Sequence, residues 1–106
     1  MDLQRFEASA EEAARLLRLL ANEKRLLMLC HIICAGEMNV GTLAELVGLS
    51  QSALSQHLAK LREDGLVATR REAQTIHYRL ADPRAARILD VLRDLYCPPL
   101  DKDGEG

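Results

Sequence analysis

The chain is poor in aromatic residues: one Phe, two Tyr and no Trp among 106 residues. Its core must therefore be aliphatic, and Leu supplies most of it. No run approaches the roughly 18–20 uninterrupted apolar residues of a membrane span, so no membrane partner is expected. The opening MDLQRFEAS is too acidic and too polar for a secretory signal, and the expected location is the cytoplasm. Cysteine is scarce, at three residues, and the odd count argues against a disulfide framework. In a reducing compartment such thiols sense, ligate or simply pack. No Gly-rich phosphate loop, C-x-x-C pair or paired Ser/His/Asp pattern is present, so nothing supports an enzyme. Internal repeats and low-complexity blocks are also lacking.

What is present fits one domain: 48% of the residues are apolar, enough for a real core. A formal net charge of −2 argues against a nonspecific nucleic-acid coat. The distribution matters more than the sum. From Ser50 to Leu80 five cations (Lys60, Arg62, Arg70, Arg71, Arg79) face three acids. The first 23 residues carry five acids against three Arg. The middle of the chain is the basic part.

That middle contains the most informative stretch, LSQSALSQHLAKLREDGL, Leu49 to Leu66. Ser50 is a good N-cap, since its hydroxyl can accept a free backbone N–H of the first turn. Leu54, Leu58 and Leu61 make one apolar stripe at helical spacing. Gly65 stands where a helix stops in the left-handed conformation. The other face carries Gln51, Ser52, Ser55, Gln56, Ala59 and Lys60. A solvated helix would more often show Glu/Lys pairs there. Short donors and acceptors near a helix N-terminus suit base edges in a major groove.

In chain order, residues 1–8 read as a flexible arm. Ser9 with Glu12 forms a capping box that opens a first helix, with Ala13, Leu16, Leu17 and Leu20 inward. A second helix from Glu23 to Cys34 is apolar on nearly every side from Leu26 onward, as a central helix is. Asn39 caps a third, short helix through Val47, with Leu43, Leu46 and Val47 inward. Gly48-Leu49-Ser50 then turns into the fourth helix, the helix-turn-helix pattern. Two β-rich runs, LVATRR and TIHYRL, flank a short hairpin loop at Glu72-Ala73-Gln74. Tyr78, rather than His77, is expected to face the core. Asp82-Pro83 starts the last helix, lined by Ile88, Leu89, Val91, Leu92 and Leu95, and Cys97-Pro98-Pro99 ends it. Residues 98–106 read as a disordered tail. The predicted fold is mainly α with a β-hairpin wing, a winged helix-turn-helix over residues 9–97.

From residue 9 to 97 the chain resembles the ArsR family of winged-helix repressors. The stretches that carry the likeness are LANEKRLLML, LAELVGLSQSALSQHLAKLREDGLV and RREAQTIHYRLADPR. The resemblance implies a homodimer through the first and last helices, bound to palindromic double-stranded operator DNA. Within the family the chain is most similar to the metal-independent branch typified by BigR, SqrR, YgaV and HlyU. That branch senses reactive sulfur species or oxidants through two cysteines. One follows RL-x-x-L in the second helix and the other ends the last helix after an aromatic. Here those positions are Cys30, in RLLMLC, and Cys97, in LYC. The segment from Cys30 to Gly36 is one residue longer than the family pattern, and Cys34 is an extra thiol that competes for the role.

Cys30 and Cys34 are spaced i,i+4 and share a helix face with near-parallel Cβ vectors, which is poor disulfide geometry. A bond between Cys30 and Cys97 would tie the second helix to the last, closing a long loop worth about 4 kcal/mol on a chain-entropy model. Against this stands the plainer reading of all three as small buried hydrophobes. A metal-responsive repressor is the alternative, since Cys30, His31, Cys34 and Cys97 include ligand types that zinc or arsenite accepts. The family's C-x-C motif is absent and the last helix has no His, so no metal or cofactor is assigned. For DNA, Gln51, Ser52, Ser55 and Gln56 are the base-edge candidates, His57 and Lys60 the phosphate candidates. Arg70, Arg71, Gln74 and Thr75 are the wing's candidates for backbone or minor-groove contact.

Overall fold

A computed structural model describes residues 2–97. The elements are α1 (Leu3–Leu20), α2 (Glu23–Ala35), β1 (Met38–Asn39), α3 (Val40–Val47), α4 (Gln51–Glu63), β2 (Val67–Glu72), β3 (Thr75–Leu80) and α5 (Pro83–Tyr96). This is the winged helix-turn-helix. The tail expected over residues 98–106 lies outside the described residues.

Each helix starts where a short polar side chain can take an orphan backbone N–H. Asn22 accepts from Arg25 at 3.1 Å, Asn39 from Thr42 at 2.9 Å, Ser50 from Ala53 at 3.1 Å and Asp82 from Arg84 at 2.9 Å. Gly48 ends α3 in the left-handed region at φ 74°, donating its N–H to the Ala44 carbonyl. Gly65 plays the same part after α4, at φ 81°. An L side chain at either place would meet its own backbone, so Gly is required by conformation rather than by space.

Two expectations fail at the first helix. Over residues 3–8 the expected arm is helical, and the cap is Asp2, which accepts the Arg5 N–H at 3.1 Å. Ser9 lies inside the helix. LQRFEASA contains no helix breaker, so the earlier cap prevails over the later one. Leu17 is 55% exposed rather than inward, as is Leu46 at 51%. On α5, Val91 and Leu95 are exposed too.

The sheet is antiparallel, in the order β1-β3-β2. Val67 pairs with Leu80 and Glu72 with Thr75, which leaves Ala73 and Gln74 as the hairpin tip. The two-residue strand β1 pairs Met38 with Tyr78 and was not foreseen. Tyr78 packs on the core, as expected. The core itself is aliphatic: Met28, Leu29 and Ile32 from α2, Leu43 from α3, and Leu54, Leu58 and Leu61 from α4 have no exposed surface. The Leu stripe thereby fixes the rotation of α4, so its Ser/Gln face must point outward.

Candidate nucleic-acid interface and thiol cluster

On α4, Gln51, Ser52, Ser55, Gln56 and Lys60 are all exposed, on the side opposite the buried Leu stripe. A groove of about 500 Å³ runs between the start of α4 and the wing. Gln51 and Ser55 line it from the helix, and Gln74 and Thr75 from the hairpin. Four candidates from two distant segments thus share one concave surface. Ser52, Gln56 and Lys60 lie outside it. Lys60 Nζ is engaged with its own helix end, 3.4 Å from Asp64 and 3.9 Å from Glu63.

His57 does not sit as expected. Its Nδ1 accepts a hydrogen bond from Arg25 Nε at 3.1 Å, and the ring is half-buried against α2. Burial pushes its pKa down, and the Arg25 charge adds to this. A neutral, inward-facing imidazole is a poor phosphate contact. Arg25 also donates Nη1 to the Leu19 carbonyl at 3.1 Å. Beside it Lys24 donates Nζ to the Val47 carbonyl at 2.9 Å, holding the C-terminal end of α3. The first turn of α2 therefore grips both helices of the helix-turn-helix.

In the wing, Arg70 is not a free tip cation. Its guanidinium donates to both carboxylate oxygens of Glu37, just before β1, and lies 3.4 Å from Glu72. The hydrogen bond from Arg70 holds the Glu37 carboxyl below its ordinary range. Arg70 is thus a strap between hairpin and sheet edge. Arg71 Nε donates to the Ala73 carbonyl at 3.1 Å and braces the tip.

The thiols gather elsewhere, between α2 and α5. Cys30 is half-buried, while Cys34 and Cys97 are exposed; all three are free thiols. Burial raises the Cys30 pKa; the nearby Arg93 charge opposes this, and the Cys34 and Cys97 sulfurs are close enough to add to the rise. Arg93 reaches from α5 to α2, donating Nη1 to Cys34 Sγ at 3.3 Å and Nη2 to Asp90 at 3.1 Å. Among the described residues no group of three His, Cys, Asp or Glu side chains could hold a metal ion. Arg25, Lys24, Glu37 and Arg93 went unforeseen. The only local signal was that Lys24 and Arg25 lie in the LANEKRLLML stretch.

A helix-turn-helix with its polar face outward and a wing beside it defines a DNA-binding transcriptional regulator rather than an enzyme. The model of the arsR family of bacterial regulatory proteins matches residues 22–69. The chain is 48% identical to the transcriptional activator HlyU of Vibrio cholerae over 97 residues, which is 92% of this chain and 89% of HlyU. It is 41% identical to the regulator YgaV of Escherichia coli, over 92% of this chain and 98% of YgaV. Among solved structures, the transcriptional repressor BigR of Xylella fastidiosa superposes with a TM-score of 0.84 at 39% identity, covering 92% of this chain and 98% of BigR. The chain belongs to the ArsR family. No helix among the described residues is long and apolar enough to cross a membrane.

Proposed function

We propose that this regulator is a homodimeric repressor that leaves its operator when Cys30 and Cys97 become bridged. The bridge is a disulfide or polysulfide, made by reactive sulfur species or oxidants. The observation that carries the reading is the thiol cluster at the α2–α5 contact, on the same helix whose first turn grips α3 and α4. A covalent tie at one end of α2 biases the position of the recognition helix at the other. Two relatives support parts of this reading: one solved HlyU structure from Vibrio cholerae is of the reduced protein, and a relative from Agrobacterium fabrum is a biofilm growth-associated repressor.

In this reading Gln51, Ser52, Ser55 and Gln56 meet base edges, and Lys60, Arg71, Gln74 and Thr75 meet the backbone or minor groove. The operator is palindromic because the dimer is two-fold. Dimerisation through α1 and α5 is supported by the apolar residues these helices expose, Leu3, Phe6 and Leu17 on one and Val91, Leu95 and Tyr96 on the other. The test is operator binding by the reduced full-length protein before and after treatment with glutathione persulfide, with cross-linked peptides mapped by mass spectrometry. Release accompanied by a Cys30–Cys97 link is expected. Release with both cysteines unmodified would sink the proposal.

A further inference from the structure

Three thiols are present where a bridge uses two, and they are not equivalent. Cys30 is half-buried, whereas Cys34 lies exposed one turn further along α2. Arg93 donates to Cys34 Sγ from α5 at 3.3 Å. Cys97 lies one turn from Arg93, its N–H donating to the Arg93 carbonyl at 2.7 Å. Arg93 thus ties α5, the helix that Cys97 ends, to the exposed thiol on α2. A partly exposed sulfur beside a cation is the environment in which thiolates react.

We propose that Cys34, held by Arg93, is the entry thiol of the switch, taking sulfur first from an organic persulfide and passing it to Cys97. This rests on the cysteine-bridge reading above. In the first step the Cys34 thiolate attacks the outer sulfur of RS–SH. The S–S bond breaks, RS⁻ leaves with its electron pair, and Cys34–S–SH remains. The Cys97 thiolate then attacks the terminal sulfur, giving Cys97–S–SH and restoring the Cys34 thiolate. Cys30 attacks the Cys97 sulfur last, loses its proton, and the departing sulfur leaves as hydrogen sulfide. One persulfide is reduced to RS⁻ and hydrogen sulfide, and two thiols are oxidised to one disulfide. The half-buried Cys30 suits the last place, since it stays protonated until sulfur is delivered beside it. Cys34 is not consumed, so it sets the rate and not the product.

The experiment is rapid-quench alkylation and peptide mapping of the reduced full-length protein with glutathione persulfide, alongside the rate of operator release. The first sulfur adduct should map to Cys34. Cys34→Ser should slow release about tenfold while reaching the same Cys30–Cys97 bridge. Arg93→Gln should slow it comparably, and Arg93→Lys should recover part of the rate. Thermal melting and reduced-state operator affinity of Cys34→Ser should match wild type, which a merely packing role for this exposed residue also allows but the rate loss does not. First labelling of Cys30 or Cys97, with unchanged kinetics in Cys34→Ser, overturns the proposal and leaves the bridge reading standing. Absence of any Cys30–Cys97 bridge in wild type overturns both.

Discussion

Arg25 donates its Nε to Nδ1 of His57 at 3.1 Å, joining the helix that carries Cys30 to the helix whose Ser/Gln face points outward. The bond uses the neutral imidazole as acceptor, so protonation of His57 removes it. The folded-state pKa of His57 is lowered, by burial first and by Arg25 second. The unfolded chain therefore takes up this proton at a higher pH than the folded one. The contribution of this group is complete above the unfolded value of about 6.5 and is lost as pH falls below it. Urea midpoints should accordingly drop between about pH 7 and pH 5, and His57→Gln should flatten part of that drop. Equal slopes in both proteins would contradict it.

Two leucines of the helix-turn-helix, one on α3 and one on α4, should differ sharply in what their loss costs. Leu58 has no exposed surface, and Leu58→Ala should cost about 2–5 kcal/mol through lost burial and the cavity left behind. Leu46 is half-exposed, and Leu46→Ala should stay within about 0.5 kcal/mol. Chemical denaturation of the two variants reads the contrast directly.

On DNA, Gln56→Ala should relax discrimination at one base position, because a lost bidentate contact costs about 1–3 kcal/mol only on the matching base. Arg71→Ala should instead weaken all sequences alike and lower the salt slope by about one. Fluorescence anisotropy against an operator and its point variants, across a salt series, separates the two. Glu37→Gln tests the strap on Arg70: looser wing amides in hydrogen exchange are expected, with the core amides unchanged.

The hairpin tip stores strain. Ala73 sits at φ 57°, a conformation an L side chain adopts at a cost of about 1–2 kcal/mol. Ala73→Val should destabilise by a further ~1 kcal/mol or more, because a β-branched side chain fits that region worst. Ala73→Gly should come out between neutral and ~1 kcal/mol more stable, its relieved strain set against greater freedom when unfolded. Thermal melting gives both signs.

Much of this fold was legible because its signals are local. Asn39, Ser50 and Asp82 each cap the helix they were expected to open, and Gly65 takes the left-handed turn. Two β-rich runs, LVATRR and TIHYRL, around a short polar loop marked the wing. At α1 the same logic misplaced the start: Ser9 and Asp2 are comparably good N-caps, and helical periodicity does not choose between them. Leu17, Leu46 and Val91 show that periodicity gives a face but not what covers it. The contacts that organise the site were beyond reach for another reason. Arg25–His57, Glu37–Arg70 and Cys34–Arg93 span 32, 33 and 59 residues, and only tertiary packing selects such partners.

The side chains that face outward on α4 share no residue with the grip of α2 or with the thiol cluster. Gln51, Ser52, Ser55 and Gln56 can therefore change without disturbing Arg25, Arg93 or the cysteines. On the function proposed above, lineages inheriting this scaffold can be reassigned to new operators while keeping their chemical trigger, or retain an operator and exchange the trigger. On that proposal the chain is a chassis for sensors, in which a grafted α4 face sets the address and α2 with α5 sets the input.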